Sequence, residues 1–163
     1  MKSIKEYLVQ LLDAETPAFV RVFEALPGDK LDWKPDPKSA TALERASQMA
    51  AEAGDLPGIF ATGILNYDPS AKPNFKTMGE IVIAFKDGMA KAKEAVQAMT
   101  DGDWDAESKM MMGSKEVWKS TRGDMGLGFM LDLIHHRGQL STYIRPMGGK
   151  VPSIYGPSAD TAE

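Results

Sequence analysis

The imidazole chemistry open to this chain rests on two adjacent histidines, His135 and His136. On a helix, consecutive side chains diverge by about 100°, so the two rings cannot act as a pair on one face. His136 falls between Leu133 and Leu140, on the inward side, and Asp132 precedes it by one helical turn. Gln139 and Tyr143 continue the same edge. The segment reads as a polar seam (Asp132, His136, Gln139, Tyr143) beside an apolar stripe (Phe129, Leu133, Leu140, Ile144, Met147). A carboxylate and an imidazole at that spacing can ligate one divalent metal. Alternatively the carboxylate orients the imidazole without a metal, or the two form a satisfied buried pair that fixes helix register. The chain has no cysteine, which excludes disulfides, thiolate metal sites and a cysteine nucleophile. No serine sits in a Gly-x-Ser-x-Gly elbow.

The seam needs a helix to carry it. Period-3.6 patterning predicts one from about 120 to 147, starting at Ser120 or Thr121 and stopped by Pro146 and Gly148-Gly149. Gly126 and Gly128 near its start either let another helix approach closely or mark an irregular first turn. Three more helices follow from the same pattern, over about 3–26, 42–65 and 77–100. Ser3 is a suitable cap for the first, and Pro17 should kink or split it. Gly54 and Pro57 should bend the second. Thr77 and Glu80 have capping-box spacing at the start of the third, which Asp101-Gly102-Asp103 ends. Trp33 is expected to pin the loop 27–39 to the helices. Residues 104–119, with Met110, Met111 and Met112, read as a short extended excursion or a loop over one end. Residues 148–163 form an arm, ordered at first and fraying after Asp160. In the arm, Tyr155 either anchors the tail or helps close a pocket. Four long helices and no convincing alternating strand predict an all-α four-helix bundle with long interhelix loops, in one domain spanning 1–163.

The run His135-His136-Arg137-Gly138-Gln139-Leu140-Ser141-Thr142-Tyr143-Ile144-Arg145 resembles the fourth-helix signature of DinB-like proteins. Val151-Pro152-Ser153-Ile154-Tyr155-Gly156-Pro157-Ser158-Ala159-Asp160 resembles the tail that follows it, and Leu31-Asp32-Trp33-Lys34-Pro35 resembles the loop between helices one and two. The resemblance implies a divalent metal such as zinc or nickel, held by one residue of helix two and two of helix four, usually all histidines. Carried onto this chain, the three positions are Gln48, Asp132 and His136. Aspartate keeps an oxygen ligand, whereas a neutral amide oxygen binds transition metals weakly. Glu52, one turn beyond Gln48, offers a substitute oxygen.

The expected protein is therefore a small-ligand-binding member with a degenerate metal site, its ligand meeting His136, Gln139 and Tyr143. One alternative is a divalent-metal-dependent thiol transferase or isomerase. Another is a non-catalytic homodimeric protein with a structural or regulatory role. Because DinB-like proteins often dimerise, the resemblance implies a homodimer under any of these readings.

The net charge is −4, and Lys and Arg are scattered among acids, so nucleic acid is not an expected partner. Arg137 and Arg145 are placed on outer faces, as solvated or partner-contacting charges. No apolar run suits a membrane span and no signal peptide is evident, which leads to the expectation of a cytoplasmic protein.

Overall fold

The computed structural model describes residues 3–161. Four long helices carry most of the chain: α1 (Ile4–Glu24), α2 (Ala42–Thr62), α3 (Met78–Ala98) and α5 (Arg122–Met147). A short α4 (Asp101–Asp105) lies between the last two. Each long helix begins on a hydroxyl cap: Ser3, Thr41, Thr77 or Thr121. The cap oxygen accepts an N–H that the first turn leaves without an intrahelical partner, worth about 1 kcal/mol. Ser3 and Thr41 complete reciprocal boxes with Glu6 and Glu44. At Thr77, Glu80 instead accepts from the backbone N–H of Lys76, at 2.7 Å.

α1 runs through Pro17 without a break. Pro17 is exposed, so water can meet the carbonyl that loses its helical donor. Pro57 likewise sits inside an unbroken α2 and frees the carbonyl of Ala53. Gly88 of α3 packs there: a Cβ on it would lie 2.6 Å from that carbonyl oxygen.

The architecture is not strictly all-α, which corrects the expectation from sequence. Three strands, β1 (Ile64–Asn66), β2 (Glu107–Met112) and β3 (Lys115–Thr121), form one sheet in that order. β1 runs parallel to β2, and β2 antiparallel to β3. The expected excursion is thus a hairpin, turned at Gly113-Ser114 with Gly113 at φ +60°. A register shift between Met110 and Met111 interrupts the period-two alternation by which a strand is read. α2 stops at Thr62, short of the expected Leu65, because Gly63 turns the chain at φ 72°. The Gly63 carbonyl then accepts from Lys109 N at 2.7 Å and Ser108 Oγ at 3.0 Å.

The core lies among the long helices. Phe19 and Phe23 of α1 pack on Phe85 of α3, with ring centroids 4.8 and 5.2 Å apart. Each such buried side chain contributes roughly 1.5–3 kcal/mol. α2 packs against both α3 and α5. On α5, Gly126 admits the Phe60 ring of α2, since a Cβ there would lie 2.1 Å from it. Among the described residues, no helix is long and apolar enough to cross a membrane.

Arg137 does not lie on an outer face; it is 2% exposed. Its helical position turns it toward α1, where Glu15 is its ion-pair partner. The guanidinium lies 4.6 Å from the centroid of Phe19 and 4.8 Å from that of Tyr155. The Tyr155 hydroxyl donates to Glu15 at 2.9 Å, which anchors the arm on α1 and α5. Arg145 is exposed and bonds Asp160 at 2.9 Å. Fraying expected beyond Asp160 falls chiefly on residues 162–163, which with 1–2 lie outside the described residues. Trp33 packs edge-on against Tyr143 at 5.3 Å, and its carbonyl accepts from Ala42 N at 2.9 Å, holding the α1–α2 loop.

Candidate functional site

α2 carries Arg45, Gln48 and Glu52 at spacings of three and four, and α5 carries Asp132, His136, Gln139 and Tyr143 at four, three and four. Such spacings put each set on one helix face, and the two faces meet where α2 packs on α5. His136 Nε2 is the meeting point. Gln48 Nε2 lies 3.2 Å from it, Asp132 Oδ2 3.3 Å and Glu52 Oε1 3.9 Å. The three residues implied by the resemblance therefore converge, and Glu52 joins them.

Gln48 enters this group through its amide nitrogen. Its Nε2 donates to Glu52 Oε1 at 2.7 Å, while its Oε1 accepts from Arg45 Nη1 at 2.7 Å. Reversing the amide would set its nitrogen against the Arg45 donor, so the network fixes the assignment. An NH2 group is no metal ligand, and in this arrangement Gln48 orients Glu52. The ring of His136 is fixed from its other side. Gln139 Oε1 lies 3.0 Å from Nδ1, and Gln139 Nε2 lies 2.8 Å from His135 Nε2. With Gln139 beside Nδ1, the Nε2 of His136 is the ring nitrogen turned toward Gln48, Asp132 and Glu52.

The group is largely buried: the side chains of His136 and Glu52 are 11% and 13% exposed, against 50% for Asp132. Burial pushes the Glu52 carboxyl up to about 7, and the charges of Asp132 and Asp55 add to the effect. The Gln48 hydrogen bond and the Arg45 charge oppose it. Glu52 Oε2 is buried without a hydrogen-bond partner. Burial also raises the carboxyl of Asp55, one turn further along α2.

One ligand atom from each of Glu52, Asp132 and His136 can be chosen so that all three lie within 4.8 Å of one another. These residues fit a divalent cation on two counts. The unpartnered Glu52 oxygen is free to accept a cation, and one imidazole nitrogen with two carboxylates suits zinc or manganese. Arg45 opposes a second cation, because its Nη1 lies 3.3 and 3.5 Å from the two ring nitrogens of His136. Once Glu52 is ionised, two carboxylates against one guanidinium leave the group electronegative. Arg45 was not a sequence candidate, although its spacing from Gln48 and Glu52 places it on the site face.

Next to the group is an open cleft of about 610 Å³ between the α1–α2 loop and α5. Ser39, Arg45, His135, Gln139 and Tyr143 contribute to its walls. Tyr143 is mostly buried, its hydroxyl donating to the Ala40 carbonyl at 3.2 Å. Arg45 and Gln139 border both the cleft and the His136 group.

The model of the DinB family matches residues 1–163, and the chain belongs to that family. Among solved structures it is similar to a DinB-like protein from Bacillus subtilis, with 19% identity and a TM-score of 0.68, over 96% of this chain and 99% of that one. It is also similar to a DinB-like protein from Bacillus cereus, with 20% identity and a TM-score of 0.69, over 90% and 94% of the two chains. At such identities the likeness speaks for the fold alone. Among curated proteins, none matches the sequence.

Proposed function

We propose that this chain is a small-ligand-binding DinB-family protein whose cleft adjoins a divalent-cation centre formed by Glu52, Asp132 and His136. The observation that carries the reading is the convergence of these three donors on a buried point where one Glu52 oxygen has no partner. In this reading His136 presents Nε2, Gln139 holds the ring, and Gln48 holds Glu52. Asp132, half exposed, supplies the solvent-side oxygen. A cation held by Glu52, Asp132 and His136 would supply Lewis-acid polarisation to a ligand group that reached it. Tyr143 and Gln139 supply polar contacts beside it.

Calorimetric titration of chelator-treated protein with Zn2+, Ni2+ and Mn2+ tests the centre. The expected result is one equivalent bound, lost in His136→Ala. Gln139→Leu should weaken binding by about 10–100-fold, because it releases the ring orientation. A wild-type protein that takes up none of the three ions, or a His136→Ala variant that binds equally well, overturns the proposal.

A further inference from the structure

Among the described arginines, Arg45 is in an unusual electrostatic position. Arg122, Arg137 and Arg145 each face a carboxylate, and Arg21, also without an ion pair, is exposed and donates to the Ser153 carbonyl at 2.9 Å. Arg45 belongs to none of the ion pairs found among the described residues. Its contacts are a neutral amide oxygen, Gln48 Oε1, and the edge of an imidazole. Its Nε is buried and has no hydrogen-bond acceptor, like that of Arg122, which has Asp103 for a partner at its Nη1. It also sits one turn from the start of α2, where the helix dipole disfavours a cation by about 0.3–1 kcal/mol. Glu52 and Asp132 lie beyond the His136 ring and Gln48 rather than in direct contact with Arg45, so its guanidinium can meet an anion from outside the chain.

The cleft supplies the place. Arg45 lines it, and no aspartate or glutamate does. The acids of the neighbouring group, Glu52 and Asp132, are not among the residues that line the cleft. The walls add neutral hydrogen-bonding groups from Ser39, His135, Gln139 and Thr142. A guanidinium among neutral polar walls, with no acid lining the cleft, suits an anion.

We infer that the cleft takes a small organic molecule bearing an oxyanion group, carboxylate or phosphate, and that Arg45 is the residue that selects for that charge. The inference rests on the ligand-cleft half of the function proposed above and does not depend on its cation.

The test is NMR of arginine-labelled protein in chelator, following the Arg45 Nε–H signal while titrating propionate, inorganic phosphate or the neutral isostere propionamide. A saturable shift with propionate or phosphate, and at least about tenfold weaker binding of propionamide, is expected for one charge-assisted hydrogen bond. A response to propionate alone identifies a carboxylate ligand; a response to phosphate alone identifies a phosphate. Arg45→Gln should cost the same factor in anion affinity. Equal binding of propionate and propionamide, no saturable shift with either anion, or unchanged affinity in Arg45→Gln overturns the inference. The wild-type comparison stands even if that variant fails to fold. Anion binding without cation uptake would leave this inference standing and remove the cation centre, and the converse result would do the reverse.

Discussion

Replacing Glu52 by glutamine separates the charge of that side chain from its shape. Burial lifts the Glu52 carboxyl from 4.5 to about 7. At roughly 1.4 kcal/mol per pH step, ionised Glu52 costs the cation-free folded state roughly 3 kcal/mol relative to the unfolded chain. The direction follows from proton binding. Between 4.5 and about 7 the folded form keeps the proton that the unfolded form releases, so stability falls as pH rises through that window. Below the window both forms are protonated and the cost is absent; above it the cost is complete. Urea denaturation in chelator, from about pH 4 to 8, should show Glu52→Gln gaining roughly 3 kcal/mol on the wild type between those limits. Any packing change made by the amide is common to every pH, so the difference in slope is the quantity to read. At high pH, Zn2+ at about 100 times its dissociation constant should return about 2.7 kcal/mol to the wild type and little to the variant. Parallel pH profiles in chelator would refute the buried-carboxyl reasoning. Equal recovery with Zn2+ would remove Glu52 from the cation centre.

Two other sites allow similar tests. Arg137→Ala strands Glu15 without its cation and should lose about 3–5 kcal/mol in urea, while the paired Arg137→Met, Glu15→Leu variant should lose far less; equal losses would show that the charge pairing is not what matters. Gly126→Ala drives a methyl group into the Phe60 ring and should cost about 1–3 kcal/mol, recovered in part by Phe60→Leu. An unchanged Tm for Gly126→Ala would mean that α2 and α5 do not meet as closely as described.

The helices were legible in the sequence because their signals are local. Apolar residues recur at 3.6, and hydroxyl caps stand at Ser3, Thr41, Thr77 and Thr121. The strands were not, for two reasons. β1 has only three residues and follows α2 directly, and the register shift in β2 spoils its alternation. At the candidate site, spacing gave the faces of α5 and brought Asp132, His136, Gln139 and Tyr143 to one edge. Spacing does not say which way an amide points, so the nitrogen-inward Gln48 could not be foreseen. Nor does it reveal compensation across helices. Arg137 reads as a surface charge until Glu15, far away in the chain, is seen beside it. Arg45 was missed because an arginine near a helix start is ordinarily solvated, and only packing shows that its Nε is buried.

The bridge formed by Gln139 has a consequence for proton traffic. A histidine or a carboxyl placed between two imidazoles would form a relay, taking a hydrogen ion at one end and releasing one at the other. A primary amide neither takes up nor gives up hydrogen ions in neutral water, so Gln139 is a stiff strut and an insulator. The exposed ring of His135 is held by that strut but has no conducting path through it to His136. On its Nε2 side the His136 ring instead meets, at 3.3 Å, the carboxyl of Asp132, half open to water.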